Sequence, residues 1–257
     1  MRKAIALLLL LPALALAKTP FDGTWKLRLD SVKYSGKPDE ALLIDGQYTC
    51  KTCVPPYTVK ADGSQQPTPG NSFIDHIAVK VLSPAAVEFV RMRDGKIVGD
   101  GVQTVSADGK TATFAFNDYS GEKPVKGSVI SKRVGPAPKG AHAISGAWMG
   151  EAAGDYSDLG RTMVFESTDN GMKWTWNGQV QDAKFDGKEY PIQNDPYQTM
   201  VTLKKVSDRE FVETDRNAGK VQGVVTYTVA ADGKALKVAY DDPLRGTKVE
   251  MTYDKQP

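Results

Sequence analysis

Two cysteines are the first residues whose spacing could support chemistry. Cys50 and Cys53 are separated by two residues, and Val54 follows them. Haem attachment of the c type requires a histidine at the position of Val54, and structural zinc requires four ligands, whereas the chain has no second cysteine pair. No helix is predicted to begin at Cys50, as a thioredoxin-like redox motif requires. We therefore expect a local disulfide between Cys50 and Cys53, with a redox function and metal binding kept as alternatives.

Side chains of the kind that hydrolases use are sparse. Ser72 and Asp75 lie close to His76 in the sequence, but catalytic triads converge in space rather than along the chain. No Gly-x-Ser-x-Gly turn presents a nucleophile. The acidic pairs Asp39-Glu40 and Asp241-Asp242 would point to opposite sides of a strand, so neither forms an acid–base pair. We predict no catalytic residue, no metal site and no cofactor.

Aromatic residues are the strongest candidates for a binding surface. Met172, Trp174 and Trp176 alternate along residues 171–177 and therefore share one face of a predicted strand. This face could fill the core of a barrel, wall a ligand cavity or form an exposed platform for sugars, and the sequence leaves the three open. The residues that would line a cavity for a small hydrophobic molecule are Trp174, Trp176, Phe211, Tyr227 and Tyr240, with Phe114 and Phe116 in the first half of the chain.

The chain contains an internal duplication. An offset of 124 residues superposes Val105–Lys110 on Val229–Lys234, and the same offset matches lysine, glycine, proline and aspartate pairs along most of each half. A slip of one residue then aligns Gly23-Thr24-Trp25 with Gly146-Ala147-Trp148. A common offset held over this length indicates two copies of one structural unit.

The two copies define the predicted domains. Residues 135–141 are rich in proline and glycine, which interrupt strands and helices, and they lie between the copies. We therefore predict a first repeat over residues 18–134, a linker over residues 135–141 and a second repeat over residues 142–257.

Each repeat is predicted to be all-β. Short alternating or β-branched runs are separated by turn signals such as Asp94-Gly95 and Asp108-Gly109, which favour about eight antiparallel strands in a small closed barrel. The strands of the first repeat are expected near Gly23–Leu29, Leu42–Thr49, Tyr57–Lys60, Ile74–Leu82, Ala86–Arg91, Lys96–Ser106, Thr111–Asn117 and Val125–Lys132.

The start of each repeat resembles the lipocalins and the wider calycin group. Trp25 and Trp148 each complete a Gly-x-Trp sequence similar to the signature that opens the first strand in that family. The resemblance implies two tandem lipocalin-like barrels, in which each tryptophan closes one barrel end beneath an arginine of the last strand. Arg133 is suitably placed in the first repeat, whereas the second has only Lys255 nearby. The resemblance also implies that a barrel holds a small hydrophobic molecule.

The N-terminus has the pattern of a signal peptide. Arg2 and Lys3 precede an apolar run, and Ala15-Leu16-Ala17 has the small-x-small form of a cleavage site. The whole chain has 33 basic and 31 acidic residues, and loss of residues 1–17 removes two basic ones, which leaves no net charge. The charge therefore gives no argument for nucleic-acid binding, and no other stretch is apolar over the length of a membrane helix.

Together these features predict an exported binding protein without enzymatic activity, located in the periplasm or outside the cell. We expect a small hydrophobic molecule as its partner, and neither nucleic acid nor a membrane span in the mature chain. One alternative is a cell-envelope module that recognises glycan or protein through surface aromatics. The other is a secreted thiol–disulfide redox protein that uses Cys50 and Cys53.

Overall fold

The structure is a computed structural model that describes residues 18–257. The predicted signal peptide, residues 1–17, lies outside the described residues. The described chain forms twenty strands and one short helix, in the order β1 (Gly23–Gly36), β2 (Asp39–Ile44), β3 (Gln47–Cys50), β4 (Tyr57–Lys60), β5 (Asp62–Pro67), β6 (His76–Ser83), β7 (Ala86–Arg93), β8 (Lys96–Val105), β9 (Thr111–Asp118), β10 (Val125–Val134), β11 (Gly146–Tyr156), α1 (Asp158–Arg161), β12 (Thr162–Thr168), β13 (Gly171–Trp176), β14 (Gln179–Lys184), β15 (Tyr190–Pro191), β16 (Met200–Ser207), β17 (Glu210–Asn217), β18 (Lys220–Val229), β19 (Ala235–Asp242) and β20 (Thr247–Lys255).

The strands form two antiparallel sheets of ten strands, and each sheet curves into a nearly closed barrel. Barrel one has the strand order β4-β3-β2-β11-β10-β9-β8-β7-β6-β5, and barrel two has the order β14-β13-β12-β1-β20-β19-β18-β17-β16-β15. A bridge between Val180 and Gln193 joins β14 to the segment after β15 in barrel two. The predicted fold class, all-β with two tandem antiparallel barrels, is therefore confirmed.

Each barrel has ten strands rather than about eight. The stretch predicted as one strand over Leu42–Thr49 is the hairpin of β2 and β3, because Asp45 and Gly46 have positive φ angles of 51° and 72° and reverse the chain. The strand β5 is polar along its length and was not predicted, since no alternating apolar pattern marks it.

The two barrels exchange their first strands. The strand β1 comes from the first repeat but pairs with β12 and β20 of the second. The strand β11 comes from the second repeat but pairs with β2 and β10 of the first. The expectation that each repeat closes a barrel from its own strands alone is therefore corrected, while the sequence boundaries of the domains stay a prediction.

The exchange is compatible with the similarity of the two strands and with the short connections that follow them. Both strands begin with Gly-x-Trp, so each can occupy the place that the other would take. Only Lys37 and Pro38 separate β1 from β2, and a short segment containing α1 separates β11 from β12. The exchanged strands also contact each other. The ring of Tyr34 on β1 lies against Gly150 of β11, so close that a Cβ atom at Gly150 would be 2.5 Å from Cγ of Tyr34.

Each exchanged strand carries its tryptophan into the core of the other repeat's barrel. Trp25 is buried in barrel two and Trp148 in barrel one. The guanidinium carbon of Arg133 lies 4.1 Å from the centre of the Trp148 ring, and Nζ of Lys255 lies 4.9 Å from the centre of the Trp25 ring. A tryptophan thus lies beneath a basic residue of the last strand in both barrels. Because the first strands are exchanged, Arg133 covers Trp148 and not Trp25.

The two basic residues differ in how many contacts they make, which predicts different stability effects. Arg133 donates hydrogen bonds to the carbonyl oxygens of Gly109, Ala143 and Ser145 at 2.6–2.7 Å, whereas Lys255 donates one, to Pro20 at 3.1 Å. We expect Arg133→Ala to lower the free energy of unfolding by about 3 kcal/mol and Lys255→Ala to lower it by about 1 kcal/mol. Denaturant unfolding of the two variants beside the wild type measures the difference, and equal losses would contradict the assignment.

The exchange of strands predicts that the two halves stay together after the chain is cut. A specific protease site inserted between Gly135 and Pro136, in the exposed linker, allows cleavage of the folded protein. Because each half supplies a wall strand to the other half's barrel, we expect the cut halves to elute as one complex in size-exclusion chromatography. In denaturant the two halves, which are nearly equal in length, should dissociate and elute together, later than the uncut unfolded chain. Folded halves that elute at the size of a single half without denaturant would show that each repeat closes its own barrel.

Candidate functional site

The aromatic residues predicted to line a cavity in the second repeat mainly pack against each other. Trp174, Phe211 and Tyr227 are all nearly inaccessible to solvent. The rings of Phe211 and Tyr227 stack with their centres 4.6 Å apart, and the ring of Trp174 lies 6.0 and 6.1 Å from them. Phe21 and Phe165 contact the same rings. These residues form an apolar cluster that fills one level of barrel two, here called the aromatic floor.

The structure places the other predicted aromatic residues apart from this floor. Trp176 is 39% exposed at the end of β13, so it forms no shared exposed platform with Trp174. Tyr240 packs at the edge of the barrel-two core, with its ring against Gly223 of β18. Phe114 and Phe116 are half-buried in barrel one and stack on each other at 6.0 Å.

The residues singled out for other chemistry do not converge on one site, and Cys50 and Cys53 pack against the core of barrel one. Cys50 and Cys53 form the expected disulfide at the end of β3. Nδ1 of His76 lies 3.0 Å from Oδ1 of Asp75 on the exposed surface, and the hydrogen bonds of the described residues do not join either side chain to the hydroxyl of Ser72. Within residues 18–257, no group of three or more histidine, cysteine, aspartate or glutamate side chains is arranged to hold a metal ion.

A pair of carboxyl groups lies inside barrel two, next to the aromatic floor. Glu213 and Asp215 are two residues apart on β17 and share the inward face with Phe211. Glu213 is only 2% exposed, and the hydroxyl of Tyr227 donates a hydrogen bond of 2.7 Å to its Oε2. The charge of Asp215 acts on Glu213. Two carboxylates this close repel each other, which favours a proton on one member of the pair.

Burial raises the pKa of both carboxyl groups. Loss of hydration raises the pKa of Glu213 well above its ordinary value, and the charge of Asp215 adds to the effect. Burial raises the pKa of Asp215 to about 6, and the charge of Asp195 acts in the same direction. Among the ion pairs of the described chain, none joins a lysine or arginine to either carboxyl group. The pair is therefore an acidic site without a basic partner.

Two hydrogen-bond acceptors in this interior have no donor. Oδ1 of Asp215 and Oε1 of Gln181 are shielded from solvent, and neither accepts a hydrogen bond from a described residue. Gln181 lies on the inward face of β14, directly across from Trp174 in the neighbouring strand. The unpaired acceptors therefore belong to the same interior as the carboxyl pair.

Barrel one has different chemistry at the equivalent positions. The offset of the duplication places Phe89 where barrel two has Glu213, and Arg91 where it has Asp215. The strand pairing agrees, since Arg91 and Asp215 each face a glycine of the following strand. The guanidinium carbon of Arg91 lies 6.0 Å from the centre of the Phe114 ring, and its Nε is buried without an acceptor among the described residues. Barrel one is therefore basic at the level where barrel two is acidic.

A loop of barrel two packs against barrel one. Tyr197 lies against the core of barrel one and meets Phe73 edge to face, with the ring centres 5.5 Å apart. Burial raises the pKa of the Tyr197 hydroxyl to about 12. Nδ2 of Asn177 donates to Oδ2 of Asp118 at 2.9 Å, which adds a second link between the barrels. The loop that contains Asp195 is thus held between the two barrels.

The acidic pair was missed by the sequence analysis, although a signal for it exists. Directly adjacent acidic residues, such as Asp241 and Asp242, point to opposite faces of a strand. Glu213 and Asp215 have the spacing of two that puts both on one face, and Phe211 on the same face indicates that this face is buried. Alternation around Phe211 would therefore have identified two inward carboxyl groups.

Comparison of the chain with protein-family models, with curated proteins and with solved structures found no match. No helix among residues 18–257 has the length and apolar character that a membrane-spanning helix needs.

The raised pKa of Asp215 predicts how stability depends on pH. Between its ordinary pKa of 3.8 and about 6, the folded protein holds more protons at Asp215 than the unfolded chain does. The free energy of unfolding therefore falls as the pH rises through this window, by about 2–3 kcal/mol for Asp215. We expect the free energy of unfolding of Asp215→Asn to be higher than that of the wild type by about this amount at pH 7, and equal to it at pH 4.

Denaturant unfolding at the two pH values measures this effect, since comparison with the wild type cancels the contribution of carboxyl groups elsewhere. The matched control is Glu166→Gln, on the exposed face of β12 in the same barrel. A stability gain of Asp215→Asn that is equal at pH 4 and pH 7 would contradict the assignment.

Proposed function

We propose that the protein is a non-enzymatic binding protein that holds one small molecule inside barrel two. The observation that carries the proposal is the difference between the two barrels at equivalent interior positions. Glu213 and Asp215 replace Phe89 and Arg91 on a shared framework, so the framework does not require the acidic pair. Buried carboxyl groups with raised pKa values are typical of functional sites.

The surroundings of the pair also support a binding site. Ligand sites in proteins combine apolar and aromatic walls with a few well-placed polar groups, and barrel interiors are a common location. In barrel two the aromatic floor supplies the apolar side, and the carboxyl groups with Gln181 supply the polar side. We infer that the apolar part of the ligand lies toward the floor and that its polar part lies at Glu213 and Asp215.

The resemblance to lipocalins is consistent with this proposal. The Gly-x-Trp starts of both repeats and the two antiparallel barrels are the features that the chain shares with that family. The resemblance implies a carrier of small hydrophobic molecules. Because Trp174, Phe211 and Tyr227 occupy much of the apolar interior, we propose a ligand that also carries a polar group.

Export is a second part of the proposal, and it rests on residues 1–17. Expression of residues 1–257 in a bacterial host, followed by intact-mass measurement of the exported protein, tests it. We expect a mature protein that begins at Lys18. A protein that remains in the cytoplasm with residues 1–17 attached would contradict export.

Replacing Glu213 and Asp215 with the residues of barrel one tests the binding site. We expect native mass spectrometry of gently purified residues 18–257 to show a small molecule bound to the wild type. The double variant Glu213→Phe with Asp215→Arg, which carries the residues of barrel one, should lose it. The control Glu166→Gln should keep it, and thermal unfolding shows that each variant is folded.

Two outcomes would overturn the proposal. If the folded double variant retains the same molecule as the wild type, the ligand does not bind at Glu213 and Asp215. If the wild type carries no molecule and a library of small metabolites fails to raise its melting temperature, barrel two is a filled structural barrel.

A further inference from the structure

The chemistry of the barrel-two interior identifies the class of molecule that it accepts. We infer that the ligand is a small organic cation, with a protonated amine that binds between Glu213 and Asp215 and an apolar body that faces the aromatic floor. This inference rests on the proposed function, because it requires that barrel two binds a small molecule.

Glu213 and Asp215 have no counter-charge. None of the ion pairs among residues 18–257 joins a lysine or arginine to either carboxyl group. Tyr227 on β18 and Asp195 in the loop before β16 also act on the pair, and neither is basic. A buried carboxylate without a basic partner is costly, so the pair must be neutralised by protons or by a cation. A positively charged ligand supplies the missing charge.

The side-chain atoms left unpaired beside the carboxyl groups are hydrogen-bond acceptors. Oδ1 of Asp215 and Oε1 of Gln181 are both acceptors, both are shielded from solvent, and neither has a donor in the described chain. Gln181 is 6% exposed, so bulk water does not satisfy it. The nearby Arg216 has one unpaired donor, Nη1, but its Nε lies 3.4 Å from Glu189, in an ion pair outside the carboxyl pair. An ammonium group has three donors and no acceptor, and it therefore matches these atoms.

The ring of Tyr240 provides an aromatic surface beside the carboxyl groups. Tyr240 lies cross-strand from Val225, which pairs with Glu213, and its ring covers Gly223, where a Cβ atom would lie 2.5 Å from Cε2 of Tyr240. Tyr240 is only partly buried, so part of its surface remains available. Aromatic faces attract organic cations and also pack against their apolar parts, whereas they offer nothing comparable to an anion.

Barrel one carries the opposite charge at the position equivalent to Asp215. Among the described residues, Nε of Arg91 is buried there without an acceptor, and it is a donor on a cationic group. A cation would be repelled at that level of barrel one. The inference therefore assigns the ligand to barrel two alone and predicts one bound molecule per chain.

Three molecules of similar shape separate charge from apolar contact: phenethylamine, 2-phenylethanol and 3-phenylpropanoate, which are cationic, neutral and anionic at pH 7.5. Isothermal titration calorimetry of residues 18–257 measures their binding, and ethylamine and butylamine extend the series to smaller cations. We expect at least one of the amines to bind with a stoichiometry of one, and the alcohol and the carboxylate to bind about tenfold more weakly or not at all.

The same titrations with variants locate the site. We expect Asp215→Asn and Glu213→Gln to weaken amine binding by about tenfold or more, because each removes a carboxyl group that can carry the negative charge facing the amine, without changing the shape of the side chain. Glu166→Gln should bind as the wild type does. Since the two amides are uncharged, both variants are expected to fold at pH 7.5, and thermal unfolding checks this.

The results distinguish the inference from the function on which it rests. If the alcohol or the carboxylate binds as tightly as the amines, or if a neutral or anionic molecule co-purifies and depends on Glu213 and Asp215, the cation is wrong and the binding function stands. If no amine binds the wild type more tightly than Asp215→Asn, the inference is overturned. If the wild type also shows no co-purified molecule and no library hit, the binding function is overturned as well.

Discussion

The structure depends on barrel closure by exchanged strands. The strand β1 completes the wall of barrel two, and β11 completes the wall of barrel one, so neither repeat encloses its core without the other. Each exchanged strand also carries the tryptophan that is buried beneath a basic residue of the last strand, Trp25 under Lys255 and Trp148 under Arg133. The two barrels of this duplicated sequence thus depend on each other for their walls, although each has its own core.

This shared framework explains how two similar repeats carry different interiors. Backbone pairing and the buried tryptophans maintain the walls, and neither depends on which side chains occupy the level of Glu213 and Phe89. The interior of barrel two combines a stacked aromatic floor with an acidic pair, whereas the interior of barrel one combines phenylalanines with Arg91. A loop from barrel two also packs on barrel one through Tyr197.

Local patterns predict most of the elements but not their partners. Alternation and Asp-Gly turns predict the strands and the all-β fold, and the spacing of Cys50 and Cys53 predicts their disulfide. The exchange of first strands is not predictable in this way. Because β1 and β11 begin alike, the local sequence does not indicate which barrel each strand joins. For the same reason, the tryptophan beneath Arg133 was assigned to the wrong repeat. The acidic pair is visible in the spacing of two, but its lack of a basic partner depends on contacts between distant strands.

A purely structural role of the acidic pair does not explain why Glu213 and Asp215 lack a basic partner. A barrel that needed only a filled core would be more stable with apolar side chains at these positions, since burial of carboxyl groups costs free energy at neutral pH. Barrel one shows that the framework accepts Phe89 and Arg91 there. Tyr227 satisfies one oxygen of Glu213, but Oδ1 of Asp215 remains without a donor. Proteins tolerate such local costs mainly at functional sites, because the energy is recovered when the missing partner binds. The acidic pair is therefore better explained by a ligand that donates hydrogen bonds than by the stability of the barrel.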